Sequence, residues 1–450
     1  MTRKKNTLPI EEQKPPLLAT ISWILYDFAN TAYSMNVVSL YFSTWIIIEL
    51  GRRDIWVSLV NSLSMALVAV TLPVLGDWSD RRQSKLKALL IFTLGCIGGT
   101  FFMGVVGKGI SDAGIVVPIV LILYVIANYS YQGGLVFYNA LLPAVSTPKT
   151  LGRVSGYGVA IGYLGSAAGL LVGGIFVDGS LFGWKIAGME AGGRAAAFIP
   201  TALLFLIFAL PVFIFVQEPK TAEKLKKWTA ADSYRQVWKS LKDTQKYPGL
   251  LRFLVAKFLY EDSIETIIIY MGVYTQAVIG FSSAESTNFF ILLIPAAVIG
   301  SALCGILTDH FGPKKTLVGV ILGWVVCCSG VVLTAHRPLF WILGALIGAL
   351  MGSTWTAARP LLITLAPKER LGEFFGLYAL SGKAAAIIGP LIWSGAARLA
   401  EPYGQAVKYR VALATLTLIM FAGMIVLLGV PDLHRQIKLN EQVQSIEMSA

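Results

Sequence analysis

Residues 23–34 have the sequence WILYDFANTAYS and open an apolar run that continues to about residue 48. A helix needs about 20 residues to cross a lipid bilayer, so this run is long enough to do so. With 3.6 residues in each turn, one face of that helix carries Trp23, Asp27, Asn30 and Ser34. Hydrocarbon cannot solvate a carboxylate, so a spanning helix turns such a face toward protein or water. The stretch therefore predicts a membrane helix that lines a polar interior.

The composition of the chain indicates a membrane protein with several spans. Of its 450 residues, 56% are hydrophobic and 14% are charged, whereas soluble domains contain about 25% charged residues. The charged residues are concentrated in short segments between long apolar runs. The polar N-terminal segment leads into a full-length helix, so no secretory signal peptide is expected. We therefore predict an all-α polytopic membrane protein.

The cysteine, histidine and charge content argues against several other classes of protein. The four cysteines lie in predicted spans without C-x-x-C spacing, so neither disulfides nor a metal site is expected. The histidines at 310, 336 and 434 lie at span ends or beyond, which does not suit an enzyme active site inside the bilayer. No G-x-G-x-x-G sequence is present, so no nucleotide cofactor is expected. The net charge of +12 is explained by an excess of Lys and Arg in cytoplasmic loops, and nucleic acid is not expected as a partner.

Hydropathy predicts twelve membrane spans. Their approximate limits are 20–48, 55–77, 86–107, 115–143, 153–178, 195–216, 251–277, 286–308, 315–335, 338–366, 371–398 and 408–430. An even number of spans places both termini on the same side of the membrane. Lys and Arg are concentrated on that side, which predicts that both termini are cytoplasmic.

The longest polar segment divides the spans into two groups of six. The predicted organisation is a cytoplasmic N-terminal segment (1–19), a six-helix bundle (20–216), a linker (217–250), a second six-helix bundle (251–430) and a cytoplasmic tail (431–450). The linker is basic and has apolar residues at helical spacing. It is either an amphipathic helix on the anionic inner leaflet or a solvated connection, and the sequence leaves both readings open.

The two groups of spans repeat three short patterns at nearly constant distances along the chain. The patterns are G-x-x-x-D followed by basic residues (76–80 and 305–309), G-x-x-x-G (152–156 and 372–376), and D-x-x-[NE]-T (27–31 and 262–266). Two halves with the same plan and six spans each predict two bundles related by an axis along the membrane normal.

The G-x-x-x-D cluster between the second and third spans resembles the signature loop of the major facilitator superfamily. Residues 26–33, 258–262 and 373–383 resemble one branch of it, typified by the autophagy-related vacuolar amino-acid effluxer and its bacterial relatives. The resemblance implies twelve helices, alternating access and transport of small solutes, with amino acids as the attested class. It also implies gating latches formed by Asp80 with Arg81, and by Asp309 with basic residues at 314–315. Simple anchoring of the topology is the alternative reading of these charges.

The seventh span contains the ionisable residues Lys257, Glu261, Asp262 and Glu265. Each costs about 2.5–3.5 kcal/mol at the centre of a membrane helix, so each requires a partner or a function. Lys257 and Glu261 are one turn apart and are expected to pair. Asp262 and Glu265 then have no obvious local partner, and a carboxylate in such a place suits a reversible proton carrier. Permanent neutralisation of these carboxylates by Lys383 or Arg359 is the alternative.

Polar residues in other spans complete the predicted site. Lys383 is either a counter-ion for a substrate carboxylate or part of a permanent ion pair, and Arg359 is expected at the cytoplasmic gate. Asn128 and Gln132 in the fourth span either bind a polar solute or join helices. The predicted substrate and proton site comprises Asp27, Asn30, Tyr33, Asn128, Gln132, Glu261, Asp262, Glu265 and Lys383. The predicted gating residues are Asp80, Arg81, Asp309 and Arg359.

We therefore expect a secondary transporter of the inner membrane that moves a small polar or zwitterionic, amino-acid-like solute with proton coupling. Efflux of amphipathic or lipid-like compounds, and a membrane sensor without transport activity, are the alternatives. The expected partners are the solute, H+ and the lipid bilayer. The expected oligomeric state is a monomer, and neither a cofactor nor a metal is expected.

Overall fold

The computed structural model describes residues 15–53, 55–181, 184–185, 188, 190–218, 232, 234–235, 247 and 249–433. Side chains are left out of the description at 181, 184–185, 283–284, 287–288 and 383–387. The predicted amphipathic helix of the linker, 217–250, lies almost wholly outside the described residues, as do most of the N-terminal segment and the tail.

The described part of the chain is nearly all helical, and a helix occupies each of the predicted spans. The helices are α1 (Leu17–Tyr33), α2 (Ile55–Arg82), α3 (Lys85–Gly109), α4 (Ala113–Ala140), α5 (Leu151–Asp178), α6 (Phe198–Phe215), α7 (Leu250–Ala277), α8 (Ser283–Phe311), α9 (Pro313–Leu333), α10 (Arg337–Leu365), α11 (Leu371–Ala400) and α12 (Gln405–Leu428). A short antiparallel pair of strands, β1 (Ser180–Leu181) and β2 (Trp184–Lys185), follows α5.

Nine of the helices in the described ranges are long and apolar enough to cross a membrane, judged by length and composition. The remaining three are α1, α7 and α11. The α-helical part of α1 is only 17 residues long, and α7 carries Lys257, Glu261, Asp262 and Glu265 within nine residues.

The second half of the first span is wound differently from the first half, which the sequence did not predict. After Tyr33 the chain continues as π-helix over Ser34–Tyr41 and again over Trp45–Glu49. Asn36 lies in the first of these segments and donates hydrogen bonds from Nδ2 to the Gly169 carbonyl (2.7 Å) and to Thr201 Oγ1 (2.8 Å). Stretches of π-helix are rare and often occur at functional sites. Here the hydrogen bonds of Asn36 connect the π-helical turns to α5 and α6.

One compact unit comprises Met1–Asn61 and Gln83–Lys224. Within it α1 packs against α5 and α6, and α3 packs against α4. Glycines of α5 allow the contact with α1: a Cβ atom at Gly165 would overlap the Phe28 carbonyl, and one at Gly169 would lie 3.0 Å from the Cα of Ala32. Small residues at a helix contact let two backbones approach closely, which is the usual way in which membrane helices associate.

The second compact unit comprises Ser62–Arg82 and Leu225–Ala450, so the division of the chain falls within α2. Within this unit α8 packs against α10, and α7 packs against α11 and α12. The last part of α2 meets the start of α11, where a Cβ atom at Gly76 would overlap the carbonyl of Gly372. The two helices therefore approach at backbone distance.

Large apolar side chains cover much of the helix surface of both units. Examples are Ile122 (63% exposed), Ile207 (65%) and Val326 (60%). A soluble protein rarely exposes contiguous apolar surface on this scale, whereas lipid-facing helices require it. The surface agrees with a multi-pass membrane protein.

Candidate substrate, coupling and gating sites

Asp27 is buried in the contact between α1 and α5. A Cβ atom at Gly158 would lie 3.2 Å from Asp27 Oδ2, so the absence of a side chain there leaves room for the carboxylate. Thr31, one turn further along α1, donates from Oγ1 to the carbonyl of Asp27 (2.9 Å) and to that of Gly162. The glycine-rich face of α5 thus accommodates the polar groups of this helix.

Asn30 is the most poorly satisfied polar side chain of α1. It is 1% exposed, and neither its amide nitrogen nor its oxygen has a hydrogen-bond partner among the described residues. Its neighbours on the same face contact α4: Trp23 stacks on Tyr138 with ring centroids 4.3 Å apart, and the Tyr33 ring lies 5.0 Å from that of Tyr131. A buried amide without a partner costs about 1–3 kcal/mol, which a bound polar molecule would recover.

Asn128, one of the two amides predicted for the site in the fourth span, has a partner that the sequence analysis missed. Asn128 donates from Nδ2 to Asn61 Oδ1 of α2 (3.3 Å), and the Tyr124 hydroxyl donates to the same oxygen (3.4 Å). The other amide atom of Asn128, Oδ1, is buried without a partner in the described structure. Gln132 is also buried, one turn along α4. Asn61 is a single amide within the apolar sequence of α2, and this is the signal from which its role could have been predicted.

Lys257 and Glu261 of α7 form the predicted ion pair. Lys257 is 1% exposed, and its ammonium lies 3.9 Å from the ring centroid of Tyr378 on α11. Next to the pair, a Cβ atom at Gly382 would lie 2.8 Å from Glu261 Oε2, so α11 passes close to the two charges. The contact between α7 and α11 therefore encloses a neutralised pair together with an aromatic ring.

Asp262 has a partner in α11. Its Oδ1 accepts a hydrogen bond of 2.7 Å from the backbone N–H of Gly389. Pro390 follows immediately, and a proline inside a helix disturbs the backbone hydrogen bonds of the preceding turn. The sequence suggested no local partner for Asp262, and the partner in the structure lies 127 residues further along the chain.

Glu265 differs from Lys257, Glu261 and Asp262. It lies near the middle of the helix and is half-buried, and its carboxylate has no ion pair or hydrogen bond within the described part of the chain. One turn beyond it begins an open groove of about 520 Å³, lined by Ile269, Gly272, Val273, Gln276 and Ala277. The side chain of Lys383, the partner considered from the sequence, lies outside the described residues.

The end of α2 carries two charged residues, Asp80 and Arg81, with separate partners. Arg81 pairs with Asp77, one turn earlier, at 2.9 Å. The carboxylate of Asp80 accepts hydrogen bonds from the backbone N–H groups of Gly372 (3.1 Å) and Glu373 (2.9 Å) in the first turn of α11. A carboxylate at a helix N-terminus is stabilised both by these bonds and by the helix dipole.

Arg370 and Glu373 extend this cluster, and neither was predicted from the sequence as a site residue. The Arg370 guanidinium donates to both carboxylate oxygens of Glu373 (2.7 and 2.5 Å) and to the Tyr247 hydroxyl (3.0 Å). Burial disfavours the charged form of Arg370, but the charge and hydrogen bonds of Glu373 outweigh burial and raise the pKa of the guanidinium. Glu373 itself is fully buried, so Asp80, Arg370 and Glu373 form one connected cluster at the start of α11.

The second copy of the G-x-x-x-D pattern lies at the end of α8. Its basic residues contact the end of α12: Lys315 lies 3.5 Å from Asp432, and Lys314 donates to the carbonyl of Leu428 (2.9 Å). Asp309 is half-buried, and Arg359 of α10 is buried. Among the residues described by the structure, no group of three or more His, Cys, Asp or Glu side chains is placed to hold a metal ion.

Solved structures of other proteins show the same arrangement of helices. A bacterial homologue of the iron transporter ferroportin, in its outward-facing state, matches with a TM-score of 0.70, covering 94% of this chain and 99% of that chain at 14% identity. The E. coli fucose:proton symporter matches with a TM-score of 0.66, covering 91% and 97% at 13% identity. At these identities the likeness concerns the fold alone, and the fold is that of the major facilitator superfamily.

A model of the protein family described as "Vacuole effluxer Atg22 like" matches residues 55–438, and the chain belongs to this family. The Bacillus subtilis "Uncharacterized MFS-type transporter YxiO" is 26% identical over 419 residues, covering 91% of this chain and 94% of the relative. "Multidrug resistance protein MdtG" of Enterobacter lignolyticus is 25% identical over 383 residues, covering 83% and 84%. "Autophagy-related protein 22" of Kluyveromyces lactis is 21% identical over 388 residues, covering 79% and 76%.

The sequence prediction of an all-α major facilitator fold is therefore confirmed, as is the resemblance to the vacuolar effluxer branch. The protein is a multi-pass membrane transporter for small molecules. Its homologues and structural neighbours are transporters rather than enzymes.

Proposed function

We propose that the protein is a proton-coupled secondary transporter of the inner membrane that moves a small polar or zwitterionic, amino-acid-like solute by alternating access. It works as a monomer with both termini in the cytoplasm. The observation that carries the proposal is the Glu265 carboxylate, which is half-buried near the middle of a membrane helix without a described partner.

A carboxylate in the middle of a membrane helix is stable when it is paired, protonated or hydrated. Glu261 is paired with Lys257, and Asp262 accepts the Gly389 N–H. Glu265 is the acidic residue of α7 that remains available for exchange of a proton with water in the transport pathway. This availability supports coupling through Glu265, with Asp262 as a neighbouring acidic group.

The solute contacts that we assign to the N-terminal unit are those of Asn30, Asn128, Gln132, Tyr33 and Asp27. Buried amide atoms of Asn30 and Asn128 lack partners in the described structure. Because amides both donate and accept hydrogen bonds, they can bind the carboxylate, hydroxyl or amide groups of a polar solute.

The cytoplasmic gate that we propose is the contact between the end of α2 and the start of α11. Asp80 binds two backbone N–H groups there, and the Arg370–Glu373 pair lies beside it. Such a contact stabilises one conformation of the carrier, and a change of state must break it. Arg81, Asp309 and Arg359 are assigned to the same gating function.

Proton coupling is tested with the purified protein in liposomes, by measuring uptake of a panel of labelled amino acids with and without an imposed pH gradient. We expect uptake that depends on the gradient, and loss of this dependence in Glu265→Gln. Glu190→Gln, which alters an exposed carboxylate in the loop after β2, is the control and retains it. Transport that ignores the gradient, or an unchanged dependence in Glu265→Gln, contradicts the coupling.

Efflux of amphipathic compounds is a second candidate function, favoured by the largely apolar groove beside Glu265. A relative named as a multidrug resistance protein covers most of the chain. Under this alternative the amino-acid panel gives no uptake, whereas an amphipathic cationic dye is transported and its transport requires Glu265.

A further inference from the structure

The charges of α7 leave one negative group for a ligand. Lys257 and Glu261 neutralise one another in a buried pair, and Asp262 is held by the backbone of α11. Glu265 is half-exposed and has no ion-pair or hydrogen-bond partner in the ranges that the structure covers. A ligand that approaches this face of α7 therefore meets the Glu265 carboxylate, whereas the ammonium of Lys257 is enclosed and paired.

Glu265 and the groove lie on the same face of α7. Ile269, Gly272 and Gln276 follow Glu265 at intervals of about one helical turn, and Gln276 is about 16 Å further along the axis at 1.5 Å per residue. There is free space at Gly272, because the atom nearest to a Cβ placed there would be in the Phe290 ring of α8, 3.9 Å away. The face thus has an acidic end, an apolar middle and an amide at the far end.

The chemistry of this face selects a cationic head and an apolar body. A protonated amine forms a charge-assisted hydrogen bond with a carboxylate. The exposed side chains of Ile269 and Val273 offer apolar contact beyond it. A carboxylate on the ligand would be repelled by Glu265, and the ammonium of Lys257 is enclosed and already paired.

We propose that Glu265 binds the protonated amine of the transported solute, while the apolar part of the solute lies in the groove between Glu265 and Gln276. This inference rests on the proposed transport function and deepens it, because it makes the amine the required group and the carboxylate of an amino acid dispensable. Branched-chain amino acids and amphipathic amines both satisfy it.

The test is thermal unfolding of the purified full-length protein in detergent with three probes of similar size. Isoamylamine carries only the amine, 4-methylpentanoate carries only the carboxylate, and leucine carries both. A compound that binds only the folded protein raises the unfolding temperature. We expect stabilisation by isoamylamine and leucine, with at least tenfold weaker binding or none for 4-methylpentanoate.

Three variants assign the effect to Glu265. Glu265→Gln is expected to weaken the amine response at least tenfold, Glu265→Asp to retain most of it, and Glu190→Gln to leave it unchanged. If the glutamine variant fails to fold, the aspartate variant still tests the site. It keeps the carboxylate but shortens the side chain, so a site that depends on Glu265 shows a small, measurable change in amine affinity. Equal stabilisation by 4-methylpentanoate, no stabilisation by either amine, or unaltered amine binding in all Glu265 variants overturns the proposal.

The same measurements distinguish this inference from the proposed function. If the protein binds amines through Glu265 but moves no solute in liposomes, the amine site is supported and the proposed transport function is contradicted. If the protein transports solutes with a proton gradient but prefers 4-methylpentanoate to isoamylamine, the transport function is supported and the amine site is contradicted.

Discussion

At the scale of single residues, the protein uses similar carboxylates one turn apart in different ways. Glu261 is paired with an enclosed ammonium, whereas Glu265 is half-exposed beside a groove. The difference follows from the neighbours and not from the residue type, because Tyr378 and Gly382 of α11 lie against the Lys257–Glu261 pair. Replacement of each carboxylate by an amide therefore has different consequences.

Glu261→Gln leaves the buried Lys257 without its partner. Removal of one member of a buried ion pair costs about 3–5 kcal/mol, because the remaining charge is uncompensated. We expect a marked fall in the free energy of unfolding in detergent, and recovery of most of it in the double variant Lys257→Met/Glu261→Gln. Glu265→Gln is the matched control and is expected to change stability by less than about 0.5 kcal/mol, because it breaks no described ion pair or hydrogen bond. Equal stability of the three variants would show that the pair is not formed.

At the scale of elements, the π-helical half of the first span depends on one side chain. Asn36→Ala removes the hydrogen bonds to Gly169 and Thr201, and the loss of buried hydrogen bonds costs about 1–3 kcal/mol. We expect faster amide hydrogen exchange in 34–49 with little change in α3. Ser43→Ala, which affects one long hydrogen bond within the same helix (3.4 Å), is the control. Unchanged exchange in Asn36→Ala would mean that the π-helical turns are stable without this anchor.

The crossing of α2 and α11 depends on the absence of side chains. Gly76→Ala places a methyl group against the backbone of Gly372, and overpacking of this kind costs about 1–3 kcal/mol. We expect lower thermal stability and altered transport rates. Gly98→Ala in α3, where a Cβ atom meets nothing within 4 Å, is expected to be neutral. A Gly76→Ala protein that behaves like Gly98→Ala would exclude a tight contact between the helices.

At the scale of the whole molecule, the distribution of Lys and Arg predicts the orientation in the membrane. Single cysteines introduced by Thr2→Cys and Ser449→Cys are expected not to be labelled by a membrane-impermeant maleimide in intact cells. They are expected to be labelled after lysis. Glu190→Cys, in the loop between α5 and α6, is expected to react in both. The four native cysteines are buried and serve as background. Labelling of either terminus in intact cells would reverse the orientation.

The sequence was sufficient for features that depend on local patterns. Hydropathy located the helices, and the spacing of Lys257 and Glu261 predicted their ion pair. It was insufficient where partners are distant along the chain, as for Asp262 with Gly389 and Asn61 with Asn128. The π-helical turns after Tyr33 were also missed, because the bonds that hold Asn36 come from two other helices and leave no period in the sequence of α1.

The glycine contact between α1 and α5 has a consequence for how the carrier moves. Where backbones touch through Gly165 and Gly169, neither helix can slide past the other without first separating, and close-packed interiors resist such dilation. The two helices are therefore expected to move as one rigid body when the carrier changes conformation, with any bending in segments outside the contacts of Gly165 and Gly169.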